Sequence, residues 1–266
     1  MTTIAFTMIG HNEAHQLPDA FESIAWADEV IYVDCESTDN SIEVAKRYTK
    51  KVFSRPNNSN LNINKTYGIE QATTEWVFYI DPDEVISPEL AKEIQTIIQS
   101  KPAENAYRLP RKNHFFGRWL KHGGQYPDTQ LRLFRRGKAF FPCKDVHEML
   151  EVEGKVGHLR EAMDHFTSAT VMDSLRKMEF YSTFHGQKMA NDLPPPSAGM
   201  AIRFMVTRPF GRFIRRYFFK GGFLDGWQGF LQAWIGCIDF QYRFLKFWHF
   251  YEEAKKEALS PTKDKQ

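Results

Sequence analysis

Trp76-Val77-Phe78-Tyr79-Ile80-Asp81-Pro82-Asp83-Glu84 is the stretch that decides how this chain folds. Its first five residues form an apolar run of strand length, rich in β-branched and aromatic side chains, which predicts a buried strand. The acidic tetrapeptide follows at once, so its carboxylates emerge where the strand ends, the edge at which open α/β sheets bind ligands. Asp81 and Asp83, spaced i, i+2, are suited to share a hard cation, Mg²⁺ or Mn²⁺, which takes oxygen ligands and bridges phosphates. The chemistry this implies is the handling of a phosphate-bearing substrate.

Outward from that strand, the first half alternates apolar strands with amphipathic helices, the pattern of βαβ units and a parallel sheet. Strands are predicted at Ile4–Ile9, Glu29–Val33 and Val52–Phe53. Helices are predicted at Leu17–Ala27, Ile42–Tyr48, Asn64–Ala72 and Pro88–Ser100, the last with proline at its start. Asp34 and Asp39 follow the second strand, and Asn12 and Glu13 follow the first. In a parallel sheet these strand ends open onto one edge, so the polar groups converge with Asp81 and Asp83 on one crevice. A nucleotide fits such a crevice, with a carboxylate toward base or ribose and a metal toward a pyrophosphate.

Composition bounds the alternatives. The 266 residues are 42% hydrophobic, enough for a sizeable core, and the net charge of +2 gives no global field for nucleic acid, so no nucleic acid partner is expected. Three cysteines, Cys35, Cys143 and Cys237, lie far apart without Cys-x-x-Cys spacing, which argues against a disulfide framework or zinc site and for a reducing compartment. The short run Ile4–Ile9 passes into His11-Asn12-Glu13 and reads as the first strand of the mature fold.

The run Pro194-Pro195-Pro196 marks a boundary, predicting a first domain over residues 1–190 and a tail over 197–266. On a helical wheel Arg208, Arg212, Arg215 and Arg216 fall opposite Phe210, Phe213, Ile214 and Tyr217, with Phe219 out of pattern. A basic face opposite an aromatic one suits an anionic membrane surface. Phe223–Phe250 is apolar but interrupted by Gly226, Gly229, Gly236, Asp239, Arg243 and Lys246, which predicts a helical tail lying on a bilayer rather than crossing it.

Several motifs together resemble family 2 glycosyltransferases of the GT-A fold, within them the bacterial lipopolysaccharide core β-1,4-glucosyltransferase group. They are Asn12-Glu13, Trp26-Ala27-Asp28-Glu29, Asp34, Ser37-Thr38-Asp39 and Asp81-Pro82-Asp83-Glu84 in the place of the family's Asp-x-Asp-Glu. Downstream stand Pro110-Arg111-Lys112-Asn113, Gly117-Arg118-Trp119, Tyr126-Pro127-Asp128, Gln130-Leu131-Arg132-Leu133-Phe134, Val146-His147-Glu148 and Gly222-Phe223-Leu224-Asp225-Gly226. The likeness covers nearly the whole chain.

The resemblance implies an α/β fold of the nucleotide-diphospho-sugar transferase type, a Rossmann-like, mostly parallel sheet with a C-terminal helical tail. It implies metal-dependent transfer of a hexose, glucose from UDP-glucose, to a saccharide or lipid-linked saccharide with inversion. Inversion needs one carboxylate base facing the leaving group, while a metal offsets the diphosphate charge. Asp81 and Asp83 are expected at the metal, with His147 a further candidate ligand. Asn12, Glu13, Asp34 and Asp39 are expected at the nucleoside, and Asp81 and Lys65 at the diphosphate. Asp128, read as part of a turn-prone exposed segment, is the first candidate base, and Glu148 is its rival. Arg111, Lys121 and Arg132 would suit a phosphorylated or acidic acceptor. The expected location is cytoplasmic, on the inner face of the cell membrane.

Pro82 between the aspartates, Cys35-Glu36 before Ser37, and Thr66 in place of asparagine depart from the family's usual residues. None removes a carboxylate that the mechanism needs. Two other classes share features of this pattern. A haloacid dehalogenase-type phosphatase also carries Asp-x-Asp after a strand but near the start of its domain, and a non-catalytic saccharide-binding scaffold could use the same fold.

Overall fold

The computed structural model describes residues 2–58, 60–143 and 149–259. The chain divides into two compact units, Met1–Asn113 with Pro127–Phe166, and His114–Tyr126 with Thr167–Gln266. The division falls ahead of the helix Val171–Asp192 rather than at the proline run that follows it.

Strands are numbered in chain order: β1 (Ile4–Gly10), β2 (Glu29–Asp34), β3 (Lys51–Ser54), β4 (Trp76–Ile80), β5 (Glu84–Val85) and β6 (Ala106–Phe115). They continue with β7 (Arg118–Trp119), β8 (Asp128–Arg135), β9 (Ala139–Phe140), β10 (Glu151–Val152), β11 (Val156–His158) and β12 (Met163–Ser168). The main sheet runs β3-β2-β1-β4-β8-β6-β12-β5. Its first four strands are parallel, and β8 then joins β4 and β6 antiparallel. All seven residues of β1 are buried, as expected for a central parallel strand covered on both faces.

Helices α1 (Leu17–Ser23), α2 (Ser41–Tyr48) and α4 (Pro88–Gln99) bury Phe21, Val44, Leu90 and Ile94 with Phe6, Tyr32, Trp76 and Phe78. Phe6 stacks on Phe78 at 4.9 Å. Helix α3 (Leu61–Glu70) places Ile69 with Ile31, Val33, Val77 and Phe134 in a second cluster. Gly68 lets α3 approach the sheet, because a Cβ there would lie 3.3 Å from a Val33 methyl.

Two helix boundaries differ from the expectation by three residues or more. Helix α1 stops at Ser23 instead of reaching Ala27, since the chain must turn to let the Asp28 carboxylate accept a bond from the Ile4 amide at 2.8 Å. Helix α3 starts three residues early because Asn60 caps it, accepting from the Asn62 amide at 3.1 Å.

The second unit is mainly helical. Helix α5 (Val171–Asp192) opens with a reciprocal capping box between Thr170 and Asp173 and packs along α8 (Gly226–Leu259). Gly186 is a point of close approach, where a Cβ would stand 2.6 Å from Lys246 Cβ. Between them the chain runs through α6 (Ala198–Ile202), a π-helical turn Arg203–Thr207, α7 (Arg208–Ile214) and a second π turn Arg215–Phe219. A π turn rotates less per residue than an α turn, so a uniform helical wheel loses phase here. That accounts for Phe219, which breaks the wheel and is 83% exposed. It also alters the expected basic face, since Arg212 and Arg216 are half-buried rather than fully solvated. Among the described residues no helix is long and apolar enough to cross a membrane.

Candidate active site

The strand end after β4 is closed by a short reciprocal turn. The Asp81 amide donates to Glu84 Oε2 at 2.9 Å, and the Glu84 amide donates to the Asp81 carbonyl at 3.0 Å. Glu84 is fully buried, and its Oε1 accepts from Arg111 Nη1 at 2.9 Å and Arg132 Nη2 at 2.6 Å. Asp81 Oδ2 shares Arg132 Nη2 at 2.8 Å, and its Oδ1 lies 3.4 Å from Lys65 Nζ. Burial pushes the Glu84 carboxyl up and the Arg132 guanidinium down to about 9. The neighbouring Asp81 charge pushes Glu84 the same way, and the Arg111 charge opposes it.

Arg132 therefore has a different place from the one expected. It is 1% exposed, stacks 3.8 Å over the Tyr79 ring, and braces the acidic turn from inside instead of facing an acceptor. Its position in β8 turns it inward from the sheet. Lys65 likewise lies against Tyr79, 4.5 Å from the ring centroid, with Asp81 beyond it.

Asp128 opens β8 and is half-buried, so it does not occupy an exposed turn. Its Oδ2 accepts from Arg111 Nε at 3.0 Å, Arg111 Nη2 at 2.6 Å and Asn113 Nδ2 at 3.1 Å, while Oδ1 accepts from Gln130 Nε2 at 2.8 Å. The β6–β8 register sets Arg111 directly opposite Asp128. Burial tends to raise the carboxyl, but the Arg111 charge and these hydrogen bonds outweigh it and hold it below the usual range.

The same network reaches the second aspartate of the motif. His165 Nδ1 is 2.6 Å from Asn113 Oδ1, and His165 Nε2 is 3.3 Å from Asp83 Oδ2. Strand β12 pairs His165 with Glu84, which brings the imidazole beside the acidic turn. A carboxylate beside an imidazole is a mixed oxygen and nitrogen donor set, which fits Mn²⁺ better than the oxygen-seeking Mg²⁺, and the Asn113 contact on the far ring nitrogen is the kind that fixes a ligating histidine. Asp83 and His165 would hold such an ion, with Asp81 adjacent. Among the described residues no group of three or more His, Cys, Asp or Glu is gathered as a metal cluster.

At the neighbouring strand ends, Gly10 pairs with Asp34 across β1 and β2, and Met8 pairs with Ile80 across β1 and β4. Asp34 is 1% exposed; its Oδ2 accepts from the Ser37 amide at 3.0 Å, and its Oδ1 is buried with no hydrogen-bond partner among the described residues. Asn12, at φ +60°, clamps the two loops: its Oδ1 accepts from the Thr38 amide at 2.7 Å and the Asp39 amide at 3.2 Å. Asp39 accepts from the Ser41 amide and hydroxyl and from the Ala14 amide. Glu13 accepts from Gln16 Nε2 at 2.7 Å. These residues thus build the rim around Asp34.

The structure brings Asp81, Asp83, Asp128, Arg111 and Arg132 into one region, while Lys121 belongs to the second unit, 4.6 Å over the Trp119 ring. His147 and Glu148 lie outside the described residues. Glu84, expected at this strand end only as part of the acidic motif, and Asn113 and His165, for which no role was expected, join the region. Glu84 and Asn113 stand inside motifs that carry the family resemblance, but nothing local marks His165, whose place depends on strand pairing.

A family model for glycosyl transferase family 2 matches residues 7–149, more than half of the chain. The chain belongs to glycosyl transferase family 2. Over 262 residues it is 26% identical to the lipopolysaccharide core biosynthesis glycosyltransferase LpsC of Rhizobium meliloti, covering 95% of this chain and 93% of that one. It is also 26% identical to an uncharacterized glycosyltransferase of Rickettsia felis, over 88% of this chain and 86% of that one. Among solved structures, S. aureus TarS 1-349 in complex with UDP is similar at a TM-score of 0.50 and 14% identity, covering 96% of this chain and 92% of that chain. This family 2 chain therefore has the GT-A architecture expected of it, and its acidic turn lies within the segment the family model matches.

Proposed function

We propose that this family 2 glycosyltransferase moves a hexose, glucose from UDP-glucose, onto a lipopolysaccharide-core or other lipid-linked saccharide, with inversion and with help from Mg²⁺ or Mn²⁺. The observation that carries the reading is the Asp83–His165 pair at the end of β4, on the same sheet edge as the buried Asp34 carboxylate. Asp34 Oδ1, buried without a hydrogen-bond partner among the described residues, would be satisfied by an N–H or O–H of the nucleoside. When bound, the metal offsets negative charge on the diphosphate. Lys65, beside Asp81, adds a second positive charge toward the same group.

Asp128 is the proposed base. Arg111, Asn113 and Gln130 fix its orientation and keep it ionised at neutral pH, ready to take the acceptor hydroxyl's proton. The name of LpsC supports a lipopolysaccharide acceptor, and the UDP complex of TarS supports a uridine donor. The second unit is proposed to hold the enzyme on the cytoplasmic face of the membrane, through the exposed Phe218, Phe219, Phe223, Leu224 and Trp227 beside its arginines.

Calorimetric titration of a UDP-sugar panel with and without Mn²⁺, on wild type and Asp83→Ala, tests the donor reading. Metal-dependent UDP-glucose binding lost in the variant supports it. No nucleotide-sugar binding under any condition would leave a scaffold or another donor class.

A further inference from the structure

Arg208, Arg212, Arg216 and Lys220 recur every four residues from the start of α7 to the residue that follows the second π turn. On a plain α-helix such a row drifts around the axis, and the π turn at Arg215–Phe219, which rotates less per residue, offsets that drift over the second half of the row. Like charges four residues apart destabilise a helix, so the row works against the element that carries it. These four cations and Arg215 line a cavity of about 470 Å³ whose floor is Phe240 of α8 and whose lining contains no carboxylate.

The half-buried members of the row lack the compensation that buried charges normally have. Arg212 Nε is buried without a hydrogen-bond partner among the described residues, and its guanidinium lies 5.2 Å from the Phe240 ring centroid. Arg216 has no ion pair among the described residues. Asp239, the acid whose charge reaches Arg212, is engaged by Arg243 at 2.6 Å. Burial pushes the Arg216 guanidinium down to about 10, and the charges of Arg212 and Arg215 act in the same direction. Gly236 permits this arrangement, since a Cβ there would lie 3.5 Å from both Arg212 Nε and Arg216 Nη1.

From this geometry we infer that the second unit contains a phosphate-binding groove, in which Arg212 and Arg216 form the floor contacts and Arg208, Arg215 and Lys220 the rim. Planar guanidinium forks match phosphate oxygens, and a phosphate or diphosphate would supply the acceptor that Arg212 Nε lacks and a counter-charge for Arg216. The groove is built wholly from residues of the second unit and does not depend on how the donor residues of the first are read. Its phosphate could come from a phosphorylated saccharide or from a phospholipid headgroup.

The test is titration of inorganic pyrophosphate into the full chain in EDTA, which removes divalent metal from the donor residues. Wild type is expected to bind, and Arg212→Ala/Arg216→Ala to weaken binding by about tenfold or more. Arg215→Ala/Lys220→Ala changes only exposed side chains, keeps the fold, and should weaken binding as well. The Mn²⁺-dependent part of UDP binding, read as the difference with and without EDTA on the same variants, should stay at the wild-type level. Absence of pyrophosphate binding to wild type, or equal affinity in wild type and both variants, overturns the groove. Co-sedimentation with phosphatidylglycerol vesicles then distinguishes the source: binding that pyrophosphate competes away points to the headgroup, and binding indifferent to pyrophosphate points to a saccharide phosphate.

Discussion

His165 Nε2 lies 3.3 Å from Asp83 Oδ2, and the opposite ring nitrogen lies 2.6 Å from Asn113 Oδ1. A ring held from both sides presents a fixed nitrogen beside the carboxylate, the arrangement a divalent ion needs from an imidazole ligand. Replacing His165 with alanine is expected to weaken Mn²⁺-dependent UDP binding by about tenfold or more, while metal-free binding stays at its wild-type level. Calorimetry with and without EDTA reads the difference. Equal metal dependence in wild type and variant would remove His165 from the site.

Asp128 is expected to separate chemistry from binding. Asp128→Asn keeps the shape, and its one oxygen still accepts from Arg111 and Asn113 while the bond from Gln130 is lost; the base is removed, so turnover should fall by about 10² to 10⁴ with donor affinity retained. The ionised carboxylate also stabilises the fold. Its pKa is lowered by folding, so the contribution is full above the unfolded value near pH 4 and fades as pH falls through the lowered folded value. Urea unfolding of wild type and Asp128→Asn should therefore differ by a constant amount between about pH 5 and pH 8 and converge under stronger acid. A gap that persists unchanged into strong acid would mean the loss is not that of the charge.

The parallel half of the sheet could be read directly because its central strands are continuous apolar runs, and Asp34 and Asp81 mark where β2 and β4 end. Local pattern could not reveal the partners of the acidic turn. Arg132 alternates with apolar residues in β8 and looks like any strand cation until β8 is paired with β4, which turns it inward beneath Asp81. His165 required the pairing of β12 with β5, a contact no periodicity encodes. The tail misleads for a different reason: a wheel assumes one angular step per residue, and two π turns break that assumption between Arg203 and Phe219.

Arg132 is the inner brace of the site, and its removal leaves Glu84 fully buried with one ionic partner fewer. Arg132→Met is expected to destabilise the fold by about 2–3 kcal/mol, since the buried Glu84 carboxyl keeps Arg111 but loses its second charged donor. Arg132→Lys should rescue only part of that, because an ammonium cannot reproduce the stacking over Tyr79. Urea midpoints of the three proteins test this, and a lysine variant equal to wild type would show that charge alone matters.

Two glycines in the second unit should respond to alanine with opposite signs. At Gly229 a Cβ would overlap the Gly222 carbonyl oxygen and stand 3.1 Å from its carbon, both backbone atoms that cannot rotate away. The first turn of α8 must then move off the Gly222–Asp225 turn, where the Asp225 carboxylate accepts from the His122 amide at 2.8 Å. Gly229→Ala is expected to cost about 2 kcal/mol or more, lowering the melting temperature by several degrees. Gly211 lies inside the continuous helix with nothing within 4 Å of an added methyl, so Gly211→Ala should stabilise by about 0.5–1 kcal/mol through helix propensity. Thermal melts followed by circular dichroism compare the two, and a destabilised Gly211→Ala would mean that the helix there needs the glycine for a reason other than space.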